Sequence, residues 1–222
     1  MHQPRYLDRH ERIHLEQRRL PHWTQPGCWY FVTFRTADSL PAGVLRQLAA
    51  EHEAWLQRRS LGGAQPRTAA ASRPATARNT ADARRAFERI WQRYLDAGHG
   101  SCLLRSPRYR GVVCESLRHF DGKRYLLDAF VVMPNHVHAI VGTLPGSPLR
   151  TCCRNWKGFT AKRINRLRGA TGPVWQADSY DRLLRGPEEL ARLRDYIDLN
   201  PRRAGLSSSE YSLYQRDEPV PT

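Results

Sequence analysis

The sequence contains no long apolar run, no CxxC cysteine pair and only three lysines among its 222 residues. No stretch approaches the roughly 18 to 20 apolar residues that a membrane helix needs, and the first residues lack the apolar core of a signal peptide. Five cysteines without CxxC spacing argue against a disulfide framework and against a cysteine zinc site. We therefore expect a protein of the reducing cytoplasm, associated with the nucleoid if it binds DNA, with no membrane partner.

Acidic residues are also in deficit, and this deficit sets the charge of the chain. The 21 Asp and Glu residues face 36 Lys and Arg residues, which gives a formal net charge of +15 and a sequence pI of about 10.4. Such a surplus favours phosphate-rich partners, because each contacted phosphate releases condensed counterions. Bidentate phosphate recognition would explain the preponderance of arginine, but a GC-rich coding genome is favoured as its cause.

Strand and helix patterns alternate along the chain and are separated by turn residues. Runs of β-branched and aromatic residues predict strands at 28–35, 125–132, 136–141 and 174–184. Apolar residues at helical spacing predict helices at 44–59, 81–95, 107–120, 149–167 and 187–200. Pro134 and Asn135 indicate a tight hairpin between the second and third strands. The order favours an α+β sandwich of the βαββαβ type, with a small antiparallel sheet covered by helices.

Composition divides the chain into one domain with additional segments. Residues 1–27 mix charge, proline and isolated aromatics, and we interpret them as an N-terminal arm. Residues 28–206 form the domain. It is interrupted at about 61–80 by Gly, Ala, Pro, Arg, Thr and Ser with almost nothing to bury, which predicts a flexible insertion. Residues 207–222 are interpreted as a C-terminal tail.

Two histidines lie two positions apart on the third predicted strand. Strand alternation directs His136 and His138 to the same face of the sheet. Unpaired polar groups on a buried face are costly, and binding one divalent metal through neutral imidazoles would satisfy both rings. A solvated sheet face would also accommodate two histidines, so this motif alone leaves both interpretations open.

Tyr196 and Asn200 lie one turn apart on the last predicted helix and therefore share a face. A phenol can act as a nucleophile toward a phosphate, and an amide oxygen is a hard ligand that suits Mg²⁺ or Mn²⁺. Core packing of the tyrosine and an ordinary helix end at Asn200-Pro201 are the alternative.

The helix predicted at 149–167 has a basic side. No acidic residue occurs between 149 and 168, so a nucleic-acid role is favoured over a merely solvated face. The candidate DNA-binding residues on this side are Arg150, Arg154, Lys157, Lys162, Arg163, Arg166 and Arg168.

An ordered set of motifs resembles the REP-associated tyrosine transposases, relatives of the single-tyrosine HUH transposases of bacterial insertion sequences. The motifs are Pro26-Gly-Cys-Trp-Tyr-Phe-Val-Thr-Phe34, Met133-Pro-Asn-His-Val-His-Ala-Ile-Val141, Trp156-Lys-Gly-Phe159, Trp175-Gln176, Tyr180-Asp-Arg182 and Tyr196-Ile-Asp-Leu-Asn-Pro-Arg-Arg-Ala-Gly-Leu206. The resemblance covers most of the chain apart from the insertion at 61–80 and the extreme termini.

This resemblance implies a ferredoxin-like sandwich with helices on one sheet face and a C-terminal catalytic helix. It implies that His136 and His138 bind a divalent metal, Mg²⁺ or Mn²⁺, that Asn200 completes the metal site, and that Tyr196 is the nucleophile. The implied activity is cleavage and transfer of single-stranded DNA, or hairpin DNA such as REP elements, through a 5′-phosphotyrosine link.

Two other functions stay open at this point, and the sequence decides neither of them. The chain could be a metal-dependent hydrolase without a covalent tyrosine step, or an inactive or domesticated protein that binds hairpin DNA. Whether Tyr196 acts in its own subunit or in a partner's, and whether the chain is a monomer or a homodimer, is also undecided.

Overall fold

The computed structural model describes residues 3–8, 10–17, 21–39, 43 and 98–217. The helices predicted at 44–59 and 81–95 and the insertion predicted at 61–80 lie outside the described residues.

Seven strands and three α-helices make up the described part of the chain. The strands are β1 (His14–Gln17), β2 (Pro21–Thr24), β3 (Trp29–Arg35), β4 (Tyr125–Val132), β5 (His136–Thr143), β6 (Tyr180–Leu183) and β7 (Ser212–Gln215). The helices are α1 (Pro107–Arg118), α2 (Leu149–Arg168) and α3 (Pro187–Arg203). A single 3₁₀ turn, Leu103–Arg105, precedes α1.

The central sheet has five strands in the order β6-β3-β5-β4-β7, and every neighbouring pair is antiparallel. The first four strands of this order have the arrangement of a βαββαβ sandwich, with β4 and β5 joined as a hairpin. The predicted α+β class with a small antiparallel sheet is thus confirmed. A separate hairpin is formed by β1 and β2.

The two faces of the sheet are covered by different helices. Alternate residues of β3 point in opposite directions, so Tyr30 and Val32 pack in the core beneath α1 and α2, whereas Trp29 and Phe31 pack beneath α3. Each large apolar side chain buried in these layers contributes roughly 1.5–3 kcal/mol to the free energy of folding. Two helices therefore cover one face, and the C-terminal helix covers the other. No helix among the described residues is both long and apolar enough to cross a membrane.

The last helix is longer than its sequence predicted. Pro201 was expected to end it, but Pro201 lies inside α3, which continues to Arg203. Proline has no N–H, so the loss is one hydrogen bond in the final turn. The following backbone compensates, because the N–H of Ala204 donates to Asn200 and that of Leu206 donates to Pro201. The strand predicted at 174–184 is shorter than expected and is confined to β6, with Trp175 contributing one isolated bridge to Thr36.

Parts of both terminal segments pack on the central sheet, which their composition does not indicate. The predicted tail at 207–222 contains β7, which joins the sheet beside β4 and stacks Tyr214 on Phe130 with ring centroids 5.3 Å apart. In the predicted arm at 1–27, Pro4 packs so closely on Gly142 that a Cβ at position 142 would clash with the proline ring. These contacts join residues distant in sequence, which local patterns do not reveal.

Candidate active site

His136 and His138 lie at the start of β5, and both side chains are completely buried. Their ring centroids are 4.7 Å apart, on the sheet face that α3 covers. Tyr196 and Asn200 of α3 reach the same place, so the structure brings together the four residues that the sequence nominated.

Asn135 fixes the ring of His136. Asn135 Nδ2 donates to the backbone oxygen of His99 at 3.0 Å, which turns Asn135 Oδ1 toward His136 Nδ1 at 2.7 Å. Because an amide oxygen only accepts, Nδ1 carries the hydrogen and Nε2 keeps its lone pair. His136 Nε2 is buried and has no hydrogen-bond partner among the described residues.

His138 is held between a strand and the last helix. Its Nδ1 lies 2.7 Å from Thr33 Oγ1 on β3, and its Nε2 lies 3.3 Å from the hydroxyl of Tyr196. Asn200 Nδ2 donates to the same hydroxyl oxygen at 2.8 Å. Since that oxygen accepts from Asn200, its own hydrogen is available to His138 Nε2, and these partners assign the Nδ1–H tautomer to His138 as well.

Phe31 positions both functional rings from the adjacent strand. Its ring stacks on His138 with a centroid distance of 5.2 Å and an interplanar angle of 20°. The same ring meets Tyr196 edge to face at 5.9 Å. Phe31 is only 6% exposed, so its packing restricts the orientation of the imidazole and of the phenol together.

Both imidazoles are neutral at physiological pH. Burial, with a smaller contribution from the nearby charge of Arg35, lowers the pKa of His136 to about 3. Burial, followed by the proximity of His136, holds the pKa of His138 well below its usual value. The neutral imidazole is the form in which histidine binds metals.

The donor atoms at this place fit a divalent cation. Asn200 Oδ1, like His136 Nε2, is buried without a hydrogen-bond partner in the described part of the chain. An unpaired buried polar atom is costly, and a cation shared by these two atoms and His138 Nε2 would satisfy them. The described residues contain no group of three His, Cys, Asp or Glu side chains that could hold a metal, so the amide oxygen would be essential to this site.

A buried ion pair holds α3 on the sheet. Asp128, at an irregularity in the pairing of β4 with β5, is fully buried, and its Oδ1 lies 2.8 Å from Arg194 Nη1. Arg194 Nη2 also donates to the backbone oxygen of Arg216 at 2.7 Å. Burial raises the pKa of Asp128 even though Arg194 opposes that shift. Arg194 lies two residues before Tyr196 on α3. Its pair with Asp128 therefore ties the part of the helix that carries Tyr196 to the sheet.

The predicted DNA-binding cations do not lie at this site. They belong to α2, which packs on the opposite face of the sheet. Arg150, Arg154 and Lys157 share one side of that helix, while Arg163 is on the other side, 3.5 Å from Glu115 of α1. The remaining cations of the set are Lys162, Arg166 and Arg168.

A groove of about 430 Å³ separates the first side of α2 from the segment 173–181. Arg150 and Arg154 line it together with Lys157, whose Nζ donates to the backbone oxygen of Ala177 at 2.6 Å. Asp178 and Asp181 also line the groove, so its walls are of mixed charge. The cations of α2 therefore lie on more than one surface of the helix, with some on the groove wall and Arg163 on the flank that faces α1.

Sequence reasoning did not nominate Asn135, Thr33 or Phe31 as site residues. Asn135 was interpreted only as a turn residue, although its place directly before His136 is a usable signal. Thr33 lies 105 residues from the histidine it contacts, and its role follows from the pairing of β3 with β5.

Comparison with known proteins gives a limited result. No protein-family model and no curated protein matches the chain. Among solved structures, the chain is similar to a REP-associated tyrosine transposase bound to a REP hairpin, with 16% sequence identity and a TM-score of 0.47 over 86% of this chain and 75% of that chain.

Proposed function

We propose that the protein is a single-strand DNA endonuclease and strand transferase that uses Tyr196 as a covalent nucleophile. The observation that carries the proposal is the meeting of Tyr196, His138 and Asn200, with the phenol oxygen 3.3 Å from His138 Nε2 and 2.8 Å from Asn200 Nδ2. The ordered motifs that resemble REP-associated tyrosine transposases support the same proposal, and with it a single-stranded or hairpin DNA substrate.

The reaction is a transesterification at phosphorus. The oxygen of Tyr196 forms a bond to the scissile phosphorus while the bond from phosphorus to the 3′ oxygen breaks. The phenol loses its proton to water, because the lone pair of His138 Nε2, which faces the hydroxyl in the described geometry, would be taken up by the bound ion, and the departing 3′ oxygen gains a proton from water. The products are a 5′-phosphotyrosine link and a free 3′-hydroxyl, so the energy of the phosphodiester is retained for strand transfer.

Each residue of the site has a distinct part in this reaction. The side-chain N–H of Asn200 stabilises negative charge that develops on the phenol oxygen, and Phe31 restricts the ring that carries it. His136, His138 and the oxygen of Asn200 would hold Mg²⁺ or Mn²⁺. When bound, that ion would polarise the scissile phosphate and offset its charge.

Tyr196 reaches His138 of its own chain, which favours a site that is complete in one subunit. A mixture of Tyr196→Phe and His136→Ala proteins tests this, because each chain lacks a different component. We expect no recovery of cleavage in the mixture. Recovery would mean that the tyrosine of one subunit serves the histidines of another.

The proposal is tested with end-labelled single-stranded oligonucleotides, with and without hairpins, in Mg²⁺ or Mn²⁺. A 3′-end label should enter a protein–DNA adduct that survives denaturation, while a 5′-end label should appear in a free shorter strand. Tyr196→Phe should abolish the adduct. Tyr214→Phe is the matched control, since this partly exposed phenol stacks on Phe130 away from the site and its loss should leave the adduct unchanged.

Other outcomes select the other functions. Cleavage without an adduct, unchanged in Tyr196→Phe, would identify a metal-dependent hydrolase. Binding of hairpin DNA without cleavage in either metal would identify a protein that recognises DNA but does not cut it.

A further inference from the structure

A glycine in the interior of α2 lies on the wall of the groove. Gly158 belongs to the motif Trp156-Lys-Gly-Phe159 and lines the groove together with Arg150 and Arg154. These three residues follow one another at four-residue steps, so they form one row along the helix. The row consists of two cations and then one position without a side chain.

Packing does not require a glycine at this position. Gly158 is exposed and has helical backbone. Apart from its chain neighbours and the backbone of its own helix, no described atom lies within 4 Å of the place that a Cβ would occupy. Glycine is also unfavourable in a helix interior compared with alanine, because it loses more conformational freedom on folding. What the missing side chain provides is space in the groove.

The rest of the groove suits an apolar group that carries N–H donors. Leu149, Cys153 and Val174 give the groove an apolar lining. Asp178 adds a carboxylate on the segment opposite α2. The volume of about 430 Å³ falls within the range of about 300–1,000 Å³ that is common for small-molecule sites. A nucleobase has apolar faces and N–H groups at its edge that a carboxylate accepts, and its flanking phosphates would meet the cations.

The groove borders the strand next to the candidate active site. Gln176 lines the groove, and its Oε1 accepts a hydrogen bond of 2.7 Å from Arg35 Nη2. Arg35 is the pairing partner of His136 across β3 and β5. A single strand that leaves the groove past Gln176 therefore arrives at the end of β3 beside the histidines.

Resting on the proposed function, we propose that the groove is a subsite for one unstacked base of the single strand. The base occupies the space beside Gly158, and the adjacent phosphates lie against Arg150 and Arg154. A base inside a duplex does not enter, because it is stacked and its edge is engaged by its partner. The groove thus gives the protein affinity for unpaired DNA beyond what its charge supplies, at a place outside the catalytic residues.

The test separates the base from its phosphates. Two single-stranded oligonucleotides of equal length are compared by fluorescence anisotropy in the Tyr196→Phe background, one of mixed sequence and one that keeps every phosphate but lacks every base. Gly158→Leu fills the space without removing a charge. This variant should fold at least as well as its parent, because leucine is a better helix former than glycine, and thermal denaturation checks this.

Gly158→Leu should weaken binding of the strand with bases by about 10-fold, within the range for loss of one base contact, and should leave binding of the strand without bases unchanged. Gly111→Leu is the matched control, because Gly111 is an equally open glycine inside α1 that does not line the groove. It should change neither affinity. Arg154→Gln should weaken binding of both strands alike, since both carry phosphates.

Three results would overturn the proposal. An equal loss on both strands in Gly158→Leu would mean that the groove holds only the DNA backbone, and no loss on either would mean that no base enters it. The same base-dependent loss in Gly111→Leu would mean that the effect does not come from the groove. None of these touches the Tyr196 adduct, which tests the proposed function separately. Conversely, a base-dependent loss confined to Gly158→Leu in a protein that forms no adduct would keep the subsite and reject the nuclease.

Discussion

The two faces of the sheet have opposite chemical characters. On the α3 face, the polar side chains of His136, His138 and Asn200 are fully buried and uncharged, with hydrogen bonds that fix their orientation. On the α2 face, the side chains of Arg150 and Arg154 are exposed and line a groove. Under the proposed function, catalysis needs fixed atoms and strand binding needs accessible charge, and the sheet would separate the two tasks.

This separation means that a DNA strand bound at both places must pass around the end of the sheet. Arg35 and Gln176 lie at that end, since Gln176 lines the groove beside α2 and contacts the arginine next to His136. The predictions below test whether the two faces are as independent as their structures indicate.

The largest effect is expected from His136→Ala. Removing this proposed metal ligand should slow adduct formation by about 10³-fold, which is the upper end of the rate loss for removing one electrostatic group. Affinity for single-stranded DNA should change little. Gel assays of the adduct and fluorescence anisotropy of the same oligonucleotide measure the two quantities. Equal losses of cleavage and affinity would contradict the division between the faces.

The next effect concerns stability and the position of α3. Arg194→Met leaves Asp128 buried without its cation, and breaking a pair of this kind costs about 3–5 kcal/mol in the free energy of unfolding. The loss should shrink as the pH falls, since a protonated Asp128 needs no counter-charge. Arg163→Met is the control, because its pair with Glu115 is exposed and should contribute less than about 1 kcal/mol. Urea denaturation of both variants measures the difference, and similar midpoints would contradict it.

Asn135→Ala should act through metal affinity. Without the amide oxygen, His136 loses the hydrogen bond that fixes its Nδ1–H tautomer, and loss of such a supporting contact typically weakens metal binding by about 10–100-fold. Titration of adduct formation with Mn²⁺ should show a higher half-saturating concentration with a nearly unchanged maximum rate. A lower maximum rate at unchanged metal dependence would count against this role.

The smallest effect per residue is expected in the groove. The double variant Arg150→Gln, Arg154→Gln should reduce the salt slope of single-strand binding by about 1.4, or 0.7 for each lost phosphate contact. The rate of adduct formation at saturating DNA should not change. Lys162→Gln with Arg166→Gln is the matched pair of α2 cations that do not line the groove. A reduction in that pair alone would move the DNA path away from the groove.

The sequence was informative wherever function follows from local spacing. Tyr196 and Asn200 lie one helical turn apart on α3, and His136 and His138 lie on the same face of β5. Both relations are short-range geometry, so these four residues could be nominated from the sequence. Thr33 and Phe31 were not nominated, because their contacts with His138 depend on which strands become neighbours. The same limit explains β7, whose pairing with β4 joins residues 80 to 86 positions apart. The division of the α2 cations between two surfaces also required the packed positions of α1 and the segment 173–181.

The most direct measurement is the mass of the tryptic peptide that retains DNA after cleavage. Trypsin should release residues 195–202, a peptide in which Tyr196 is the one tyrosine. The account predicts that, after nuclease digestion, this peptide carries a 5′-linked nucleotide in wild type and that no peptide carries one in Tyr196→Phe. A nucleotide on any other residue, or efficient cleavage with every peptide unmodified, would contradict the central claim that Tyr196 attacks the phosphate.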